Sequence, residues 1–215
     1  MKSLLKKEFT LSANVLTYVF LLFSCMTWIP GYPILVGTFF ITLGIFYTFQ
    51  NVREQNDILF SALLPVSKRD IVGAKFLFVL ILEIAAFLLS AVFTIFRMTL
   101  LSSATVYTEN ALMNANIAYL GYILLLFAAF QWFFLRDFFR TAYKICVPFL
   151  IYCIVAFIVV GIAETLHHVP GLESLNSTAP TLSQWIVFGL GLAVFAFATW
   201  RAYVASVKDF DALDL

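Results

Sequence analysis

Few side chains in this sequence could do chemistry. Foremost is Glu83, the one acid well inside an apolar run, eight residues past Lys75. At about 1.5 Å per helical residue it would sit roughly 12 Å into a hydrocarbon core of about 30 Å. An ionisable group at that depth either faces a wet cavity and meets a cationic or amphipathic substrate, or fixes helix contacts as a hydrogen-bonded packing residue. Phe127 and Phe130, in a cluster with Trp132, Phe133 and Phe134, are candidate liners of a hydrophobic path. The competing reading places most of the 25 phenylalanines against lipid. His167 and His168 follow Glu164, but Glu-x-x-His-His lacks the ligand spacing of a zinc site. The cysteines Cys25, Cys146 and Cys153 fall in apolar runs, where a small buried hydrophobe is the expected role. No Ser/His/Asp arrangement and no Gly-x-x-x-x-Gly-Lys-Ser/Thr phosphate loop occurs, so no metal, cofactor or catalytic residue is assigned to the chain.

The elements that must position these groups follow from composition. Of 215 residues, 63% are hydrophobic and 12% charged, against about 25% charged in an ordinary soluble domain. Mean hydropathy is +0.99. Apolar windows at Ser12–Ile29, Ile34–Phe49, Phe76–Phe96, Ile117–Leu135, Ile145–Ala163 and Ser183–Val204 predict an all-α polytopic membrane protein with six transmembrane helices. With both termini cytoplasmic, 12 of the 13 basic residues lie inside and only Arg97 outside, as the positive-inside rule requires. The net charge of +1 gives no reason to expect nucleic acid. The chain thus forms a single membrane domain over 1–215. Residues 1–11 are expected to form an interfacial helix with Lys2, Lys6 and Lys7 at lipid headgroups, and 50–75 a cytoplasmic segment. Small residues at Ala198, Ala202 and Ser206 permit a close helix contact. The acids Asp209, Asp211 and Asp214 mark a solvated tail.

The cytoplasmic segment is the most informative stretch. Helical spacing over Glu54–Leu64 puts Glu54, Asp57 and Ser61 on a narrow polar stripe, with Ile58, Leu59, Phe60, Ala62, Leu63 and Leu64 around the rest. A helix that apolar must lie in the membrane interface, against the bundle or in a partner's groove. Pro65 stops it. Ser67-Lys68-Arg69-Asp70 has capping-box spacing and opens the next helix.

These residues resemble a family. Leu64-Pro65-Val66-Ser67-Lys68-Arg69-Asp70-Ile71-Val72-Gly73-Ala74-Lys75-Phe76, after an acid-bearing helix, is similar to the pattern of small six-span ABC-2-type exporter permeases. Within that family the sequence looks most like permeases of Gram-positive bacteria, including those that export phenol-soluble modulins. The resemblance implies a permease in the bacterial cytoplasmic membrane, acting as a homodimer or close heterodimer among membrane lipids. It implies a separate cytosolic ATP-binding subunit that carries ATP and magnesium. Glu54, Asp57, Ile58, Leu59, Phe60, Leu63, Pro65, Ser67, Lys68, Arg69 and Asp70 would then form the coupling segment docked on that subunit. The expected cargo is an amphipathic peptide first and a lipophilic drug second. The rival expectation is a non-transporting scaffold or immunity protein that uses the same loop to recruit a cytosolic partner.

Overall fold

The computed structural model describes residues 2–213, so Asp214 lies outside the described part. Helix α1 (Lys2–Lys7) continues as a π-helical stretch over Glu8–Ser12, after which Ala13 and Asn14 are extended. The axis then bends by 93°. The Asn14 side chain caps α2 (Val15–Phe20) by accepting the Leu16 N–H at 2.9 Å, and the helix tightens to 3₁₀ geometry over Leu21–Trp28. The first span is therefore Val15–Trp28 and not Ser12–Ile29, because Ser12 belongs to the surface helix. The greater rise of 3₁₀ geometry lets this short segment reach about 25 Å.

A turn at Gly31 (φ 72°) reverses the chain into α3 (Leu35–Glu54). The first two spans touch closely, since a Cβ on Gly44 would meet Phe20 Cβ at 2.7 Å and the Thr17 hydroxyl donates to Gly44 O at 2.6 Å. Next come α4 (Asp57–Ala62) and α5 (Lys68–Leu100), the latter about 50 Å long and thus proud of the hydrocarbon at both ends. The short α6 (Thr105–Thr108) and α7 (Ile117–Ala129) follow. Helix α7 runs on through a π stretch at Phe130–Leu135 into α8 (Arg136–Thr141), so span four extends past the expected end at Leu135. Ala142, at φ 55°, ends it. The last spans are α9 (Cys146–Leu166) and α10 (Leu182–Asp211).

Five helices are long and apolar enough to cross a membrane, and the bent N-terminal pair supplies up to a sixth. The fold is an all-helical polytopic membrane protein. Span four is its axis: 83% of its most apolar stretch is buried, against 17% for span six. Phe130, Phe134, Phe138 and Phe139 are fully buried along it, and Phe49, Phe149 and Tyr152 pack around them. Nine of the 25 phenylalanines are buried, four (Phe60, Phe96, Phe157 and Phe197) are exposed and the rest are half-buried, so the aromatic core takes about a third of them. Outward-facing Val147, Leu150, Ile154, Ile158, Leu190 and Trp200 supply the apolar exterior that lipid solvates. Cys25 and Cys146 also face outward and are free, not buried as expected.

Candidate functional site: a buried charge cluster behind an inverted loop helix

The segment between spans two and three is shorter and sharper than its periodicity suggests. Span two extends through Glu54; Asn56 then adopts left-handed backbone (φ 52°), and a fresh helix covers only Asp57–Ala62. Glu54 consequently stays on span two, exposed, accepting from Gln50 at 3.1 Å. The chain leaves the loop helix through Leu64-Pro65-Val66, with Val66 N–H donating to Leu64 O at 2.7 Å. Ser67 caps α5 as expected, its Oγ accepting the Asp70 N–H at 3.1 Å and donating to the Asp70 carboxylate at 2.7 Å. Lys68 reaches away from the loop helix, donating to Asp211 O at 3.3 Å and Leu213 O at 2.5 Å. It thereby caps the last span. Arg69 is exposed and lies 3.5 Å from the Tyr203 hydroxyl.

The polar stripe of the loop helix faces inward. Asp57 Oδ1 accepts from Lys7 Nζ at 2.7 Å and Asp57 Oδ2 from Lys75 Nζ at 2.8 Å. Glu8 completes the ring, 2.8 Å from Lys75 and 3.0 Å from Lys7, and Ser61 Oγ accepts a further bond from Lys7 at 2.9 Å. Two cations and two anions thus form a neutral cluster joining the surface helix, the loop helix and span three. Lys75 and Glu8 are buried, with side chains 1% and 3% exposed. Two expectations change here. Lys7 is not held at lipid headgroups, and Asp57, expected on the segment that docks on a partner, is paired within the chain. Glu8 spoils the amphipathicity of the first helix because it is an interior ion-pair partner, and the π stretch beginning at Glu8 belongs to the turn that carries it.

With the polar side turned in, the apolar side is turned out. Ile58 is buried, but Leu59, Phe60, Leu63 and Leu64 are exposed, Phe60 at 62% and Leu63 at 79%. Beside them, Val52, Arg53, Asn56, Ile58, Leu59, Thr141, Ala142 and Tyr143 enclose a hollow of about 200 Å³ between this loop and the one after span four.

Burial disfavours the Asp57 carboxylate, but Lys75 and Lys7 outweigh it and hold the carboxyl below its ordinary 3.8. Burial likewise disfavours the Lys7 cation, and Glu8 and Asp57 outweigh it and raise the amine above 10.5. The stability that Asp57 contributes is present above 3.8 and lost as pH falls through its lowered value. That of Lys7 is present below 10.5 and lost as pH rises through its raised value. The cluster should therefore hold unchanged across neutral pH. Asp57→Asn should lower the thermal midpoint by the same amount at low and high salt, because buried pairs are poorly screened. A deficit that vanishes in high salt would place Asp57 at the surface.

Glu83 is wholly buried on span three and accepts from the Gln131 amide of span four. The π stretch at Phe130–Leu135 contains Gln131, and such insertions often mark functional positions. Phe127 lies beside Glu83 in a cleft of about 230 Å³. Phe130 does not line that cleft; it stacks on Phe134 at 4.8 Å and meets the Tyr152 ring at 5.1 Å in the core.

Two further features were not read from the sequence. Arg97 was expected in an outer loop, yet it is buried in the last turn of α5, donating to Thr27 O at 2.7 Å and Asn114 Oδ1 at 3.1 Å beneath the Tyr107 ring. Asn114 in turn bonds Asn176 from both its backbone and its side chain, at 2.6 and 3.2 Å, so it ties the end of span three to the loop before span six at the far end of the bundle. Glu164 and His167 serve this same end, accepting the Met113 N–H at 2.8 Å and meeting Ala111 O at 3.2 Å. The other missed feature is the contact of Gly121 with Gly191, where spans four and six meet backbone to backbone. The expected stripe of Ala198, Ala202 and Ser206 is buried on the same helix.

Comparison with known proteins agrees with this architecture. No curated protein and no solved structure shows a significant match, so the narrower likeness to modulin exporters rests on the local motif alone. Residues 3–211 match the family model described as ABC-2 family transporter protein, nearly the whole described chain. Membrane subunits of this family are not the ATPase and partner an ATP-binding subunit. The chain belongs to the ABC-2 transporter family, as a polytopic membrane subunit.

Proposed function

We propose that this chain is the permease half of an ATP-driven exporter in a bacterial cytoplasmic membrane, working as a homodimer or close heterodimer and moving a hydrophobic or amphipathic cargo, with a peptide the favoured class. The basic end of the bundle, where Lys68, Lys75, Arg53 and Arg136 gather, faces the cytosol by the positive-inside rule. The loop helix is the coupling helix. One observation carries this reading: a six-residue helix whose acid is locked inward presents Leu59, Phe60 and Leu63 outward at the basic end. An apolar knob there needs a groove to fill, and the ATP-binding subunit, with its ATP and magnesium, offers one. Because Asp57 is clamped to Lys7 and Lys75, displacement of this helix acts directly on the surface helix and on span three. Glu83 and Phe127 mark the inner part of the substrate path.

Burying each leucine or phenylalanine is worth about 1.5–3 kcal/mol, and burying an unpaired carboxylate costs more. Phe60→Asp and Leu63→Asp should therefore abolish capture of the co-expressed ATP-binding subunit and its substrate-stimulated ATP hydrolysis. Insertion and the thermal midpoint of the permease should stay unchanged, because both side chains are free in the isolated chain. Normal capture and hydrolysis in both variants would refute the docking assignment. Glu54→Ala, at an exposed position on span two, should have a smaller and salt-sensitive effect.

A further inference from the structure

An apolar groove runs along spans four and six, on the flank of span six opposite Tyr203, whose ring meets Phe76 of span three. Trp132 of span four and Ala193, Val194, Phe197 and Ala198 of span six enclose about 320 Å³. Phe197 is 62% exposed and Val194 44%, so the groove opens sideways to the bilayer. Spans four and six cross in the same direction, and each carries an arginine at the cytosolic end of this groove. Arg136 stands one turn past Trp132, its guanidinium carbon 4.9 Å from the centre of the Trp132 ring. Arg201 stands one turn past Phe197, and Val194, Phe197 and Arg201 share one flank of their helix. Each arginine is 19 residues, about 28 Å, past the start of its helix at Ile117 or Leu182. That depth is the inner edge of a hydrocarbon core of about 30 Å, where lipid headgroups begin.

Neither cation is spent inside the protein. Arg140, one turn beyond Arg136, has Asp137 at 3.9 Å, but among the described residues no carboxylate pairs with Arg136 or Arg201. Arg136 Nε is buried without an acceptor, and Arg201 is exposed. Contact with Trp132 occupies the face of the Arg136 guanidinium and leaves its N–H edge for an acceptor. Such an edge matches a phosphate, and the apolar groove above it matches an acyl chain. A second copy of this chain is a poorer occupant. Related by a twofold axis along the membrane normal, it would bring its own two arginines to the same depth, like charge against like.

We propose that this groove is a site for an anionic glycerophospholipid of the inner leaflet, its phosphate held by Arg136 and Arg201 and one acyl chain lying along Phe197 and Val194 beside Trp132. The site is separate from the loop helix and does not depend on motor docking. The test uses the purified chain in phosphatidylcholine nanodiscs doped with phosphatidylglycerol that bears a photoreactive acyl chain. Illumination should label Trp132 and residues 193–198, located by peptide mass spectrometry. Phosphatidylcholine with the same photoreactive chain should label them about tenfold less, as two interfacial arginines favour the anionic lipid. Arg136→Gln combined with Arg201→Gln should abolish that preference, and Arg140→Gln should keep it. Ala193→Trp, which fills the groove and leaves both arginines, should reduce labelling by both lipids. Equal labelling by the two lipids on the unaltered chain, labelling that avoids this groove, or a preference that survives the double variant overturns the proposal. A disulfide formed between two copies of Phe197→Cys in a cysteine-free chain would seat the second copy here and overturn it as well. Should the variants not fold, the two lipids on the unaltered chain decide the matter.

Discussion

Lys75→Met should destabilise the protein more than any other single change at the basic end. The substitution keeps the side chain's length and removes its charge, leaving Glu8 and Asp57 to share Lys7 in a site where Glu8 is 3% exposed. Breaking a buried pair by removing one partner costs about 3–5 kcal/mol, because the residual charge stays uncompensated. The expected result is a large fall in thermal midpoint, together with protease access to the loop around Leu63–Lys68 as α4 comes away. Neutrality is the test of mechanism. Adding Glu8→Gln leaves Lys7 and Asp57 as a balanced pair, so the double variant should regain part of what Lys75→Met loses. Additive losses would show that the cluster stabilises through packing and not through charge balance. Transport should suffer even where folding is rescued, since Lys75 is the link between the loop helix and span three.

Gly191→Leu is expected to have an effect of similar size at the centre of the bundle. A Cβ at Gly191 would overlap the Gly121 carbonyl, and one at Gly121 would meet Val187 O at 2.7 Å and Phe188 Cα at 2.8 Å. Main chain opposes main chain there, so no rotamer change relieves the clash and the helices must separate. Overpacking costs about 1–3 kcal/mol where side chains can yield, so the upper end applies here. Gly189→Leu is the control, as nothing lies within 4 Å of its added Cβ. Thermal midpoints of the two variants should differ sharply. Equal midpoints would mean that spans four and six do not pack through these glycines.

Much of this molecule is written locally in its sequence. Runs of apolar residues long enough to cross hydrocarbon mark out the spans whatever their neighbours are, because a backbone in lipid must bond to itself. Pro65 stops one helix and Ser67 caps the next through bonds made within a few residues, so both were legible. The same holds for the small-residue stripe of span six. What the sequence could not say is which way a stripe faces. In a soluble protein a polar stripe points to water, but in this protein apolar surface is solvated by lipid or partner, and the usual sign does not follow. The stripe of Asp57 and Ser61 faces inward because Lys7, 50 residues away from Asp57, and Lys75, 18 away, converge on it. Gly121 against Gly191 and Arg97 against Asn114 and Thr27 are likewise set by helices brought together from distant parts of the chain. Local spacing determined the elements; long-range pairing of charges and close approach of backbones decided which faces they turn to each other and which they leave for a partner.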